Sequence, residues 1–463
     1  MSVRERIRRE LAQESKRAAI AQATRGSYLA KLDQWRRLAE AGRLTALRDW
    51  ARDVRDEALN DHAGQLAKFT RAVAAGGGQV HLAATAEAAV QQVLAILQNA
   101  GARRVVKAKS MVTEEIGLVH ALEAAGLEAL ETDLGEYIIQ LAGEMPSHIT
   151  GPALHLTRHD VAALFSARLG ETVEPEPQAL AAVARRVLRA KFLAADAGIT
   201  GANFLVAETG SVVLVTNEGN ADLTTALPRV MITIAGLEKL VPTWAALEPL
   251  LTLLPRTATG QNMTTYVTAI AGTRQPGEAD GPEELHVVVL DAGRAKLLGT
   301  PQQDVLRCIR CGSCLDACPV FRQVGGHGYG TVYSGPIGVA LTPLLNPDSS
   351  GLLDLCSLCG ACTEGCPVHV PLHHLIRAER AMRKAGTGER LLMRLWAWAW
   401  SDPARYRFTS RLLRLVTRPF VRAGHLTWLP GPLGEWGRGR DFPAPAAKPL
   451  HERWRDLDRE VEP

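Results

Sequence analysis

The sequence predicts an α/β domain with a mostly parallel sheet, followed by an α-helical module that carries every cysteine. Three observations support this. Short apolar runs alternate with amphipathic stretches between about residues 61 and 298. All eight cysteines fall between Cys308 and Cys366. The stretch that holds them shows no strand pattern. A chain of 463 residues, 46% hydrophobic and 22% charged, has material for two or three cores.

Residues 1–60 read as N-terminal helices. Ile7 and Leu11, then Leu29, Leu32, Trp35 and Leu38, recur at spacings of three and four among Arg, Lys and Glu. Such helices are expected to dock on a larger body. Residues 61–298 form the α/β section, with strands expected at Gln79–Ala83, Arg104–Ala108, Leu127–Glu131, Ala202–Ala207, Ser211–Thr216, Arg229–Ile234 and Glu284–Leu290. Apolar runs of this kind between helices suit one sheet covered on both faces. The glycines from Gly325 to Gly330 lack the G-x-G-x-x-G spacing of a dinucleotide site, and no Walker loop is present. Residues 299–385 should be helical, including a helix from Gly335 to Leu345. Residues 386–463 open with an Arg-rich amphipathic helix and turn Pro- and Gly-rich at Leu429–Gly434 and Phe442–Pro445, a tail expected to be extended or loosely ordered.

No stretch approaches the roughly 18 apolar residues of a membrane span; Leu391–Trp400 is too short and contains Arg394. The charged start argues against a secretory signal, and cysteines confined to one segment suit metal ligation in a reducing compartment, which makes cytoplasm the expected location. The formal charge of +4 gives no support to nucleic-acid binding.

The cysteines form two runs, Cys308, Cys311, Cys314, Cys318 and Cys356, Cys359, Cys362, Cys366, each followed by proline (Pro319, Pro367) and offset by 48 residues. This duplicated x2, x2, x3, Pro spacing is that of bacterial two-cluster ferredoxins, in which three thiolates wrap one 4Fe-4S cubane and the fourth reaches the other. By that rule Cys308, Cys311, Cys314 and Cys366 bind one cluster, and Cys356, Cys359, Cys362 and Cys318 the second. Gly312 and Gly360 relieve crowding where each loop passes its cluster. Structural zinc is the alternative, but it ordinarily uses paired C-x2-C sets. The 37 residues between Cys318 and Cys356 leave room for a helix, which points to an α-helical ferredoxin module.

With these runs, the segments Lys109–Gly117, Glu131–Ile138, Ala207–Leu214, Thr216–Asn220 and His327–Gly338 make the chain resemble the lactate utilization protein B family across most of its length. The resemblance implies a lactate-utilization domain from about residue 70 to 295, with a fold similar to the ribose-phosphate isomerase and coenzyme A transferase group. It also implies partners: a cysteine-rich subunit similar to a heterodisulfide reductase, and a second protein with the same α/β domain. The implied assembly oxidises L-lactate to pyruvate. The electron acceptor is unknown, and no nucleic acid is implied. Lactate gives up two electrons and a 4Fe-4S cluster takes one, so a two-electron centre must intervene, and no flavin or nicotinamide motif is visible. The alternatives are an electron carrier of a related hydroxy-acid or heterodisulfide-reductase-like complex, and an iron-sulfur redox sensor. A sensor would ordinarily add a DNA-binding helix-turn-helix, which is not visible.

Other residues carry two readings each. Glu208, before Thr209 and Gly210, resembles the acidic stretch of coenzyme A transferases and is a candidate catalytic base or nucleophile; the alternative is a solvated turn. Glu114, Glu115, Asp133 and Glu136 either orient a substrate or cap helices and hold structural hydrogen bonds. His327 and Tyr329 offer proton-coupled chemistry or simple packing in a Gly-rich linker. Arg394 with Trp396, Trp398 and Trp400 forms a membrane-surface helix or packs against the cysteine module.

Overall fold

The computed structural model describes residues 2–383, 387–426, 434, 442–450 and 453–454. The chain divides into two compact units, Met1–Met382 and Arg383–Pro463.

The first unit is built on a sheet of six parallel strands. In chain order these are β1 (Gln79–Ala83), β2 (Arg104–Lys107), β3 (Glu128–Glu131), β4 (Ala197–Thr200), β7 (Val230–Gly236) and β10 (Glu284–Leu290), arranged β1-β10-β7-β4-β2-β3. A second sheet, ordered β8-β5-β6-β9, contains β5 (Phe204–Val206), β6 (Ser211–Thr216), β8 (Leu240–Val241) and β9 (Tyr266–Ile270). Period-2 alternation assigns the faces of the parallel sheet. Ile232, Ile234, Val288 and Leu290 meet Val93, Leu97, Leu118 and Leu122 from two covering helices. Met231, Ala235, Val287 and Val289 turn the other way, onto Leu205, Val212 and Leu214 of the second sheet. Val106 and Leu130 pack under the helices Leu134–Ala142, Arg158–Leu169 and Pro177–Leu193. Each fully buried Val, Leu or Ile contributes roughly 1.5–3 kcal/mol.

Two expectations are corrected here. The runs at 202–207 and 211–216 were read as part of one mostly parallel sheet, but they form an antiparallel hairpin in the second sheet. A four-residue connection, turned at Gly210 with φ 69°, is too short for a parallel crossover. Strand β4 was not anticipated, although it lies in the middle of the parallel sheet. Its sequence, Ala-Gly-Ile-Thr, is too short and small-sided to carry a strand signal. The packing explains the glycine: a Cβ on Gly198 would lie 1.9 Å from the Thr224 carbonyl oxygen.

Four N-terminal helices, α1 (Val3–Leu11), α2 (Glu14–Glu40), α3 (Leu44–Asn60) and α4 (His62–Ala75), clasp the same unit. From α2, Lys31 donates to Ser313 Oγ at 2.5 Å and to the Gly365 carbonyl at 2.7 Å. From α3, Arg48 donates to the carbonyls of Glu364 and Cys366 at 2.9 and 2.8 Å. Arg55 is buried and gives its guanidinium to the carbonyls of Glu238, Leu240, Leu306 and Arg307. Burial lowers its pKa to about 10, against the pull of Glu238. We expect Arg55→Met to leave these carbonyls without a donor and to cost upwards of about 3 kcal/mol, at roughly 1–3 kcal/mol per buried unsatisfied group. A urea midpoint that matches the parent protein's would refute this.

From Ala295 to Met382 every regular element is helical, including the helix Gly335–Leu345. In the second unit the helices Thr387–Trp400 and Pro403–Thr417 pack together, with the Trp400 and Tyr406 rings 5.1 Å apart. Trp396, Trp398 and Trp400 are about half exposed. Short strands at Val421–Arg422, His425–Leu426 and Phe442–Pro443 form a small sheet. Most of the Leu429–Gly434 run lies outside the described residues. Among the described residues, no helix is long and apolar enough to cross a membrane.

Candidate functional site at the junction of the parallel sheet and the cysteine loops

The two cysteine runs fold alike. Residue 310 in the first and 358 in the second adopt left-handed backbone (Arg310 φ 59°, Leu358 φ 56°), and the glycines two positions later do the same (Gly312 φ 76°, Gly360 φ 84°). Non-glycine residues rarely adopt this region, so its recurrence in both copies marks a loop forced to wind tightly. The winding aims amides at sulfur. Arg310 N–H donates to Cys308 Sγ at 3.4 Å, Leu358 N–H to Cys356 Sγ at 3.3 Å, Phe321 N–H to Cys318 Sγ at 3.5 Å and Val370 N–H to Cys366 Sγ at 3.3 Å.

All eight thiols are free. The structure brings Cys366 to Cys308, Cys311 and Cys314, which together wall a small pocket. Cys318 lies within electrostatic reach of Cys356, Cys359 and Cys362. Burial pushes the Cys362 thiol up to about 12, and Cys318, Cys356 and Cys359 push the same way. Burial raises Cys311 and Cys314 too, reinforced by neighbouring cysteines. Thiols crowded like this give up their protons readily only to a cationic metal core. The donor set and the amides aimed at sulfur fit two 4Fe-4S clusters.

Beside the first run lies a cavity of ≈ 350 Å³. Its floor is made by loops at the carboxyl ends of parallel strands: Ala108–Ser110 after β2, Gly201–Asn203 after β4, and Glu238 and Lys239 after β7. Ligands of open α/β sheets bind at such ends, where neighbouring connections diverge. Here the chain leaves β2 toward the β3 edge, while from β4 it passes through β5 and β6 of the second sheet before returning as β7 on the other side. The opposite wall comes from the cysteine section, through Arg310, Cys311 and Tyr333.

A buried ion network joins the two walls. Glu238 lies between Arg294 Nε at 3.0 Å and Arg310 Nη2 at 3.2 Å. Burial alone would raise its carboxyl, but Arg294 and Arg310 hold it down to about 2. Arg294 also grips Glu115 with contacts of 2.5 and 3.0 Å. Tyr333 O–H donates to Glu115 at 2.6 Å, and the Arg310 guanidinium stands 4.4 Å over the Tyr333 ring. Lys239 is lowered to about 8 by burial, and Arg310 and Arg55 push it the same way.

A family model for the LUD domain matches residues 66–290, one for a 4Fe-4S dicluster domain matches residues 304–370, and one for the lactate utilisation protein B C-terminal region matches residues 373–458. Lactate utilization protein B of Geobacillus kaustophilus is 44% identical over 97% of this chain and 95% of its own length. The chain belongs to the lactate utilization protein B family. The proteins of that name from Geobacillus thermodenitrificans (98% of this chain, 96% of theirs) and Lysinibacillus sphaericus (95% and 94%) are also 44% identical. A solved structure of a DUF162 family protein from Deinococcus radiodurans, 17% identical, covers 50% of this chain and 98% of its own with a TM-score of 0.29, a likeness too weak to bear on the fold.

In this member of the lactate utilization protein B family, the residues singled out from sequence are dispersed. Glu208 is exposed on the β5–β6 turn, accepts the Trp244 N–H at 3.0 Å and does not line the cavity. Asp133 caps the helix Leu134–Ala142 by accepting the Glu136 N–H. Glu114 pairs with buried Lys107 at 3.3 Å. Glu136 is buried, which raises it to about 8. Tyr329 is fully buried; that burial, then Cys318 and Cys356, keeps its phenol protonated. His327 pairs through Nε2 with the Met145 carbonyl at 2.7 Å, near Glu144 and His155. Glu144 pairs with His155 Nε2 at 2.7 Å and has Lys16 at 3.9 Å, while His155 Nδ1 is buried without a hydrogen-bond partner among the described residues.

Sequence reasoning missed Lys239, Glu238, Arg294 and Tyr333. It also missed Arg310, for which a signal existed: the two runs match, yet this position is Arg in the first and Leu358 in the second.

Proposed function

We propose that this chain is the iron-sulfur electron-transfer subunit of an assembly that oxidises L-lactate to pyruvate. The observation that carries this reading is the gathering of eight free thiols into two groups, one of them against the cavity at the sheet's carboxyl ends. On this reading Cys308, Cys311, Cys314 and Cys366 ligate one cluster, and Cys356, Cys359, Cys362 and Cys318 the other. Residues 61–298 serve as the lactate-utilization domain, with a fold similar to the ribose-phosphate isomerase and coenzyme A transferase group. Residues 299–385 serve as an α-helical ferredoxin module, with residues 1–60 as the helices that clasp it and 386–463 as the tail. When bound, each 4Fe-4S cluster takes up and returns one electron. The amides of Arg310, Leu358, Phe321 and Val370, directed at sulfur, favour the more negative reduced state. Eight thiols that must stay reduced suit the cytoplasm. The partners are a cysteine-rich subunit similar to a heterodisulfide reductase and a second protein with the same α/β domain.

Lactate yields two electrons at once, so one-electron centres alone cannot oxidise it. The isolated chain, replete with iron and sulfide, is therefore expected not to oxidise L-lactate with an artificial dye. Adding both partners should produce lactate-dependent bleaching of its visible absorbance, and Cys311→Ser or Cys359→Ser should abolish it. Turnover by the isolated chain at the rate of the full assembly would overturn the reading. Growth of a deletion strain on glycolate compared with L-lactate separates this substrate from related hydroxy acids.

A further inference from the structure

We propose that the cavity between the parallel sheet and the first cysteine run binds a small organic oxyanion, a carboxylate or a phosphate ester, held by Lys239 and Arg310 beside Cys311. The binding claim stands on geometry; connecting the bound anion to electron transfer rests on the function proposed above.

Charge that lacks a partner is the first argument. The Arg310 side chain is 9% exposed, and only one of its arms is engaged, by Glu238. Its Nη1 is buried and has no hydrogen-bond partner among the described residues. Lys239 lines the same cavity, and its ammonium makes no hydrogen bond or ion pair among the described residues. A buried guanidinium nitrogen left unpaired costs free energy that a bound oxyanion would recover. Glu238 meets Arg310 Nη2 through Oε1 and Arg294 Nε through Oε2, and neither oxygen bonds to Arg310 Nη1.

The two ends of the cavity differ in charge. At the far end, Lys109 shares the lining with Asp133 and Glu218, whose carboxylates cap or accept from the start of the helix Leu134–Ala142. With one lysine against two carboxylates, that end is net negative. Toward Cys311, Lys239 and Arg310 face Glu238 and the Cys308 sulfur, and buried Arg55 behind them is already bonded to backbone carbonyls. An oxyanion is thus better matched to the Lys239 and Arg310 end than to the net-negative Lys109 end.

Size narrows the ligand. A volume of ≈ 350 Å³ falls in the range of sites that enclose organic molecules, about 300–1,000 Å³. Two sources present the required oxyanion: the carboxylate of a 2-hydroxy or 2-oxo acid, and the phosphate of a phosphorylated two-electron carrier.

The test uses the full chain with its clusters reconstituted, titrated calorimetrically with L-lactate, pyruvate, inorganic phosphate, flavin mononucleotide and riboflavin. Saturable one-to-one binding of at least one anionic probe is expected, weakening as salt rises, together with a changed magnetic spectrum of the reduced protein. Lactate or pyruvate binding identifies the carboxylate source; flavin mononucleotide binding without riboflavin identifies the phosphate source. Lys239→Met should weaken the bound probe at least tenfold, and Lys296→Met, an exposed lysine outside the cavity, should not. Neither substitution should lower cluster content. If no anionic probe binds the cluster-replete chain, or if Lys239→Met binds as the parent does, the site is refuted. The electron-transfer reading would survive that result if the assembly still reduced the clusters with lactate. Conversely, anion binding by a chain that exchanges no electrons with its partners would leave the site standing and overturn the function.

Discussion

Cys318→Ser is expected to remove the cluster held mainly by Cys356, Cys359 and Cys362, and Cys366→Ser the one held by Cys308, Cys311 and Cys314. Each change should cut iron and sulfide from about eight per chain to about four. The reason is spatial. Although Cys318 ends the first run, it lies with the thiols of the second, and Cys366 joins the wall formed by Cys308, Cys311 and Cys314. Pro319 and Pro367 stiffen the exit of each run. Magnetic spectroscopy of the reduced variants decides the matter. Cys366→Ser should leave the same residual spectrum as Cys311→Ser, and Cys318→Ser the same as Cys359→Ser. If each serine instead removes the cluster of its own run, the crossed assignment is wrong. Stoichiometric zinc in protein purified without oxygen would remove its basis altogether.

The parts of this molecule legible in the sequence are those whose chemistry is local. Cluster ligation demands a fixed spacing within a dozen residues, and the runs at Cys308 and Cys356 state it openly. The strands at 79–83, 211–216 and 284–290, and the helix Gly335–Leu345, match their apolar patterns to the residue. Tertiary context decided the rest. Strand β4 is only four residues, two of them Ala and Gly, that become a strand because β2 and β7 flank it on both sides. The β5–β6 hairpin has the same apolar texture as the parallel strands, and only its short turn separates it from them. The cavity was least legible. Lys109, Lys239 and Arg310 are spread over two hundred residues of sequence, and parallel crossovers bring them together. Glu208 drew attention because its short motif is visible in sequence, whereas the structure places it on an exposed turn outside that cavity.

Glu238→Ala is expected to be among the most destabilising single changes in the first unit. Glu238 is 3% exposed and is the carboxylate that Arg294 and Arg310 share. Glu115 would still hold Arg294, but Arg310 would lose its ion pair and face Lys239 and Arg55 with no acid between them. Breaking a buried pair by removing one partner costs about 3–5 kcal/mol. Glu238→Gln should cost less, because the amide oxygen still accepts a hydrogen bond. The pH dependence separates charge from packing. Because the folded carboxyl is held near 2, below its ordinary value of 4.5, the folded state binds that proton less readily than the unfolded chain does. Its contribution, on the order of 3 kcal/mol at about 1.4 kcal/mol per pH unit, is complete above about pH 4.5 and is lost as pH falls from there toward 2. Urea unfolding of the parent and Glu238→Gln proteins should thus differ by a constant amount from pH 8 to about pH 5, with the gap narrowing below pH 4.5. A gap that persists unchanged into acid would mean that Glu238 acts through shape alone and that the ion network does not hold the cysteine loop against the sheet.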